Sequence, residues 1–486
     1  MDVPPIGWVV MATTLTLLLV APRALWVLTI YLLPFQAASV LNVTVGARQT
    51  GVAPVILVLL VTCVWEVVSA SGVSRSHHLA HVIKVFRPAL LFVGVGLLLS
   101  AVCPQLFRSD LLVTLPQDFR QQVPLEPTTS NIIHSGYLAL CTMAALFLSA
   151  RIGLGEALFT RSLLRAIFGA VTVALCLLFW QGLSLYAGIW YPLEILNNNP
   201  GVVHLESGVI RPELGLNLGI RRISGSFSEP STAAVYFGCY LALLISCVLY
   251  ERRPVRYLAP MLLVGCGLFA TGATTGFLVI AGLAVTCAWI LLSSLFRRMQ
   301  QQTTVRVVAL ALIAVVTGVV ILIALYSTMA GDVETAANLL LFNKISEDAR
   351  LKDGRSVVEM RSLQVFLDSW GLGVGLGSNL SFTTIGYIVS NTGLIGAVAF
   401  LAFLMRLRKQ YLMAVAVETD SSSGLLYRGT TFSLLALCFM GLTSVEWLLM
   451  PVAWIIIGVF VGSTTLTVAE HELAQVEAAE REEVEW

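Results

Sequence analysis

Two stretches of this chain bring guanidinium groups, a carboxylate and glycines together at close spacing. The first is Arg221-Arg222-Ile223-Ser224-Gly225-Ser226-Phe227-Ser228-Glu229-Pro230-Ser231. An arginine fork donates two parallel hydrogen bonds and never loses its charge, so paired arginines suit a phosphate or pyrophosphate. The competing reading is that Arg221 and Arg222 rest their stems on apolar surface and extend their heads to lipid headgroups. Glu229 beside Pro230 bears on that choice, because a carboxylate at a membrane entry is costly unless it is paired or used. Pairing with Arg222 is the structural alternative.

The second stretch begins at Asp353-Gly354-Arg355-Ser356, continues through Met360-Arg361, and ends in Trp370-Gly371-Leu372-Gly373-Val374-Gly375-Leu376-Gly377-Ser378-Asn379. Glycines at alternate positions look like a nucleotide-phosphate loop, but no Lys-Ser/Thr follows and no strand pattern precedes. Their expected use is close approach of backbone to a bulky substrate or to a neighbouring helix. Further on, Asn391-Thr392-Gly393-Leu394-Ile395-Gly396 has the small-residue spacing of a helix-packing face.

The elements that must hold these stretches are set by composition. Of the 486 residues, 57% are hydrophobic and 12% charged, with mean hydropathy +0.86. Globular chains average roughly 45 to 50% apolar and about a quarter charged, so the solvent here is lipid. A net charge of +1 gives no basic excess for nucleic acid. The nine cysteines fall almost entirely in apolar runs with no disulfide or metal-ligand spacing, and read as packing.

Apolar runs long enough to cross a bilayer number about twelve. They are Ala24 to Asn42, Val52 to Ala70, Ala89 to Cys103, Ile132 to Ala150, Ala166 to Ile189, Thr232 to Tyr250, Tyr257 to Ala270, Phe277 to Leu292, Val307 to Leu325, Ile385 to Met405, Thr431 to Val445 and Val452 to Leu466. Ile6 to Val20 is open between a thirteenth span, an interfacial segment and half of a hairpin. Basic residues alternate between connections. Arg75 and Lys84, Arg151 and Arg161, Arg252 and Arg253, Arg297 and Arg298, and Arg406 and Arg408 mark one set as cytoplasmic. The opposite set holds three long loops, Pro104 to Asn131, Tyr191 to Ser231 and Ser327 to Thr384, which are then periplasmic. The tail Ala469 to Trp486, with seven Glu against one Arg, reads as a solvated or frayed cytoplasmic helix. Glu66 stands inside an apolar run, and its expected state is a pair with a neighbouring helix or a place close to an interface.

The expected fold is thus an all-α polytopic transmembrane bundle. Residues 1–165 form N-terminal helices, 166–468 a core with loops 191–231 and 327–384, and 469–486 the acidic tail.

At these residues the chain resembles the superfamily of bacterial O-antigen ligases and O-antigen or exopolysaccharide polymerases. Arg222, Gly225, Phe227 and Pro230 match the family's first signature, and Arg355 with Gly373-Val374-Gly375 its second. The turn Thr271 to Gly276 looks like its Ser/Thr-Gly turn, so the likeness covers about Ala166 to Leu466. Ligases of the family place a His just ahead of the Gly-xx-Gly helix, where this chain has Phe382 and Thr383. Glu-Pro-Ser at Glu229 looks more like the polymerases. The resemblance implies glycosyl transfer from a polyprenyl-pyrophosphate-linked saccharide donor to the hydroxyl of a second lipid-linked saccharide, at the periplasmic face of a bacterial inner membrane. Arg222 and Arg355, with Arg221 and Arg361, would stabilise the departing pyrophosphate. Glu229 would be the general base, with His204 second, and Gly225, Ser226, Gly373 and Gly375 would line the substrate. The implied partners, besides membrane lipid, are chain-length regulator and flippase proteins. No metal or other cofactor is expected. A ligase acting on lipid A core and a transporter of lipid-linked oligosaccharide are the alternative readings.

Overall fold

The computed structural model describes residues 2–45, 48–69, 77–115, 118–200, 223–251, 254–296, 355–417 and 422–484. The expected span Val307 to Leu325, Asp353, and the candidate site residues Arg221, Arg222 and His204 lie outside them.

The architecture is helical. Its helices in chain order are α1 (Pro5–Val20), α2 (Ala24–Leu32), α3 (Pro54–Val68), α4 (His77–Leu106), α5 (Thr129–Gly153), α6 (Ala157–Ala187), α7 (Leu193–Leu196), α8 (Pro230–Tyr250), α9 (Val255–Ala270), α10 (Thr274–Phe296), α11 (Arg355–Asp368), α12 (Thr384–Ala416), α13 (Ser422–Met440), α14 (Glu446–Leu449) and α15 (Pro451–Val484). Among the described residues, six helices are long and apolar enough to cross a membrane: those at Leu79–Leu106, Thr129–Gly153, Ala157–Ala187, Pro230–Tyr250, Thr384–Ala416 and Pro451–Gln475. Shorter apolar helices occupy Pro5–Val20, Pro54–Val68, Val255–Ala270, Thr275–Ile290 and Gly424–Met440. The chain is a multi-pass membrane protein.

The expected span Ala24 to Asn42 is corrected. Its helix stops at Leu32, just ahead of Pro34, whose missing N–H and ring cannot continue a helix. The chain then enters an antiparallel hairpin, β1 (Leu41–Val45) with β2 (Arg48–Val52), in which Val43 faces Thr50. A run of apolar residues predicted a helix here, but Val43, Thr44 and Val45 are β-branched and alternate with the pleat. A second hairpin, β3 (Leu112–Leu115) with β4 (Asp118–Pro124), fills the connection between α4 and α5. The expected all-α fold thus carries two small hairpins. The run Ile6 to Val20 is helix α1, which packs beside α2.

Both hairpins lie at one end of the bundle. The opposite end is marked by a buried ion pair: Arg151 Nη2, in the last turn of α5, is 2.9 Å from Glu66 Oε2 near the end of α3. Trp26 of α2 donates to the same carboxylate at 3.0 Å. Glu66 and Arg151 are 1% and 2% exposed, so each charge is compensated inside the protein, as a desolvated charge requires. Arg23 closes the set with Glu156 at 2.8 Å. α3 and α5 therefore run in the same direction, and their first turns, which follow the two hairpins, share the other end. α15 runs parallel to α5, with Ser149 Oγ donating to the Gly458 carbonyl at 2.9 Å. It continues as helix into the acidic tail, which emerges at the Arg151 end. Small residues at Gly458 and Gly462 let the two backbones approach, the usual basis of helix association in lipid.

Candidate functional site

Ile223 to Phe227 form a buried turn docked on α6 and on the segment after α2. Gln181 of α6, 2% exposed, accepts from the backbone N–H groups of Ser224 at 2.8 Å and Gly225 at 2.7 Å. Gly225 lies against the Leu178 backbone, where a side chain would meet it at 3.3 Å. Ser226 is 1% exposed; its hydroxyl donates to the Pro34 carbonyl at 2.9 Å, and its own carbonyl accepts from Ala37 at 3.0 Å. Phe227 is fully buried between Tyr236 and Phe237, with ring centroids 5.0 and 5.8 Å away. Gly225 and Ser226, expected to line a substrate, are bonded and packed within the protein. They hold the chain as it enters α8.

Glu229 is the N-cap residue of α8, with Pro230 as the first helical residue. It is exposed, and the Ser231 hydroxyl donates to its carboxylate at 3.2 Å. A carboxylate here faces the positive end of the α8 dipole. On the approach to this turn, Tyr191 packs edge-on to Trp180, centroids 5.7 Å apart. Burial pushes its phenol well above the ordinary tyrosine range.

Arg355 opens α11. Its Nη1 donates to the Thr443 carbonyl at 3.3 Å, and its guanidinium carbon lies 5.0 Å from the centroid of the Phe382 ring. One turn along α11, Glu359 accepts from the N–H groups of Phe382 at 2.6 Å and Thr383 at 2.9 Å. The hydroxyls of Ser381 and Thr383 donate to it as well, at 2.9 and 2.7 Å. Thr383 then caps α12 by accepting from the Gly386 N–H at 3.0 Å. Arg361 is partly exposed on a flank of α11.

After α11 the glycine run becomes a ribbon buried among helices, and it explains a break in α12. At Gly393 the backbone leaves the helix, with φ +63° and ψ −165°, a conformation that a β-carbon disfavours. The carbonyls freed by the break, those of Ser390 and Asn391, accept from Val374 at 3.0 Å and Gly375 at 2.8 Å. The Leu394 N–H finds the Gly371 carbonyl at 2.9 Å. Irregular backbone at membrane depth is tolerated when its polar groups are met in this way. Asn379 and Asn391 cross-link the ribbon to the break: Asn379 N–H donates to Asn391 Oδ1 at 3.0 Å, and Asn391 Nδ2 donates to the Asn379 carbonyl at 2.9 Å. Ser100 of α4 and Asn131 of α5 hold the ribbon from the other side, bonding the Leu376 N–H at 2.7 Å and its carbonyl at 2.8 Å. The expected packing face at Asn391 to Gly396 is thus a helix break, and Gly373 and Gly375 lie buried against α12 and α4.

No protein-family model matches the chain, and no curated protein matches it. Of the described candidate residues, the fold sets Arg355 and Glu229 at one end of the bundle. Thr114 of the second hairpin donates to Asn379 Oδ1 at 3.0 Å and accepts from the Leu380 N–H at 2.7 Å. α11, the ribbon and the start of α12 therefore sit at the hairpin end. α8 runs antiparallel to α13, with Gly238 against Met440 and Gly429 against Leu243. Glu229 consequently lies at the same end as Thr443, the residue whose carbonyl holds Arg355.

Glu359 and Gln181 escaped the sequence reading. Glu359 is four residues beyond Arg355, a spacing that puts both on one helix face. Gln181 is an amide within an apolar span. Both signals are visible once a polar residue in such a place is asked for its partner.

Proposed function

We propose that this protein polymerises polyprenyl-pyrophosphate-linked oligosaccharide units into an exopolysaccharide or O-antigen at the outer face of a bacterial inner membrane. The observation that supports this most directly is Arg355: a fixed cation at the start of a buried polar assembly, at the bundle end that also carries Glu229. In this reading the hairpin end faces the periplasm, and the Arg151 end and the acidic tail face the cytoplasm, in accord with the basic loops. Arg355 and Arg222, with Arg221 and Arg361, stabilise charge on the departing pyrophosphate. Glu229, exposed at the head of α8, takes the proton of the attacking hydroxyl, with His204 as second candidate.

Phe382 stands where ligases of the resembled family carry a His, and an aryl ring cannot move a proton. That favours a lipid-linked repeat unit over lipid A core as acceptor. The break at Gly393 is the feature that would most favour a transporter, since broken helices frame transport sites near mid-membrane. Here the freed carbonyls of Ser390 and Asn391 are taken by the ribbon.

The test is the polysaccharide ladder of cells carrying Arg355→Ala or Arg222→Ala at normal membrane levels. Loss of long chains with accumulation of single lipid-linked units is the expected result. Persistence of the polymer in both strains sinks the reading.

A further inference from the structure

α11 carries a buried side and an exposed apolar side. Val358, Ser362 and Val365 are buried, with Val365 resting on Leu111, Val113, Leu125 and Val374 in a small core formed with the second hairpin and the ribbon. On the opposite side, Met360, Leu363, Leu367 and Trp370 are 67, 46, 65 and 87% exposed. Steps of three and four residues put the first three in one stripe, and Trp370 follows in the turn just past the helix end. The flank between carries exposed Gln364 and Asp368 with the partly exposed Arg361. This is a helix with separate protein-facing, apolar and polar sides.

Its depth is fixed by the ribbon that follows. The Leu376 N–H is bonded to Ser100 Oγ at 2.7 Å, in the last two turns of the membrane-spanning α4. Gly377 lies against Ser130, in the first turn of α5. α11 therefore sits beside the helix ends, where hydrocarbon gives way to headgroups. Its stripe continues into exposed Leu372 of the ribbon and Ile385 in the first turn of α12, 41 and 68% exposed.

We propose that α11 is an interfacial helix whose Met360, Leu363 and Leu367, with Trp370 just past its end, are immersed in the leaflet at the hairpin end of the bundle. Such helices lie in the membrane plane with the apolar side roughly 5–10 Å into the headgroup and acyl boundary, and tryptophan is enriched at that level. The occupant of the stripe is bilayer lipid, because the stripe joins the lipid-facing surface of α12 and lies level with the ends of α4 and α5. One consequence is that Arg355 and Arg361 are held at the depth of lipid phosphates.

The test uses the full chain in phosphatidylcholine and phosphatidylglycerol vesicles. Leu367→Cys and Gln364→Cys each carry a small fluorophore, in a background with the exposed Cys176, Cys266 and Cys438 changed to Ala. Doxyl-labelled lipid is expected to quench the Leu367 label several-fold more than iodide does, with the order reversed at Gln364. Iodide quenching both positions alike would overturn the proposal, as would shielding of the Leu367 label from both quenchers, which would mean that protein covers the stripe. In the unaltered chain, a photoactivatable acyl-chain lipid should leave adducts between residues 360 and 372; their absence counts against immersion. Neither readout involves catalysis, so the placement of α11 stands or falls separately from the proposed polymerase activity.

Discussion

The guanidinium of Arg355 lies over the ring of Phe382, 5.0 Å from its centroid, and the N–H of that same Phe382 donates to Glu359 at 2.6 Å. Helix α11 therefore holds the 381–383 segment by its carboxylate and rests its arginine on the ring this segment presents. The cation is positioned by two contacts that share one helix.

Glu359→Ala should loosen this clasp. It leaves the Phe382 and Thr383 N–H groups without their charged acceptor, and hydrogen bonds to charged groups contribute about 1.5–3 kcal/mol each. Thermal unfolding of the purified protein should show a loss of about 2–3 kcal/mol, while Glu359→Gln, which keeps an accepting oxygen, should cost clearly less. Equal losses for the two variants would show that the carboxylate oxygens are not what holds the segment.

Phe382→Leu keeps the apolar bulk and removes the π face. A partly desolvated cation–π contact is worth up to about 2 kcal/mol, so in the proposed polymerase reaction the rate of chain extension should fall by about tenfold at unchanged protein level. Pulse labelling of the polysaccharide reads this directly, and an unchanged rate would mean that the ring does not orient Arg355.

Glu66→Gln leaves the Arg151 charge buried with its main partner neutralised. Removing one member of a buried pair costs about 3–5 kcal/mol, and the unfolding midpoint should drop accordingly. The double substitution Glu66→Leu with Arg151→Met should recover most of that loss, since a matched apolar pair needs no compensation. A double variant no better than the single would point to the Trp26 and Glu156 contacts instead.

Gly375→Ala places a β-carbon 2.7 Å from the Ser100 Cα, at φ +94°. The ribbon or α4 must shift, and expression of folded protein should fall. Gly94→Ala, one turn and more away on α4 with nothing within 4 Å of the new atom, should be stabilising by up to about 1 kcal/mol. Size-exclusion profiles of the two variants side by side decide the matter, and a monodisperse Gly375→Ala protein would argue against a tight ribbon.

Much of this is legible in the sequence. The apolar runs at Ile132 to Ala150, Thr232 to Tyr250 and Val452 to Leu466 fall on α5, α8 and α15, because a long unbroken apolar run in lipid has to be helical. That Glu66 had to be paired or near an interface followed from the cost of a charge inside such a run. Arg355 and the glycines after it stood out as residues that a plain span would not carry. The run Ala24 to Asn42 misled for the same reason that the others succeeded: hydropathy counts apolar residues without asking whether β-branched ones alternate.

Composition and pattern by themselves determined that this protein lives in a membrane and that its chain is mainly helical. Those follow from transfer energies, which each residue carries independently of its neighbours. Only the tertiary structure decided that Gly373 and Gly375 mend a broken helix, that Ser226 is part of the scaffold, and that Glu359 clasps the segment bearing Phe382. These depend on partners far apart in the chain, such as Val374 with Ser390 across the break and Thr114 with Asn379 between two connections. A hydrogen bond's energy belongs to the pair and to its geometry, and neither is written in the order of residues.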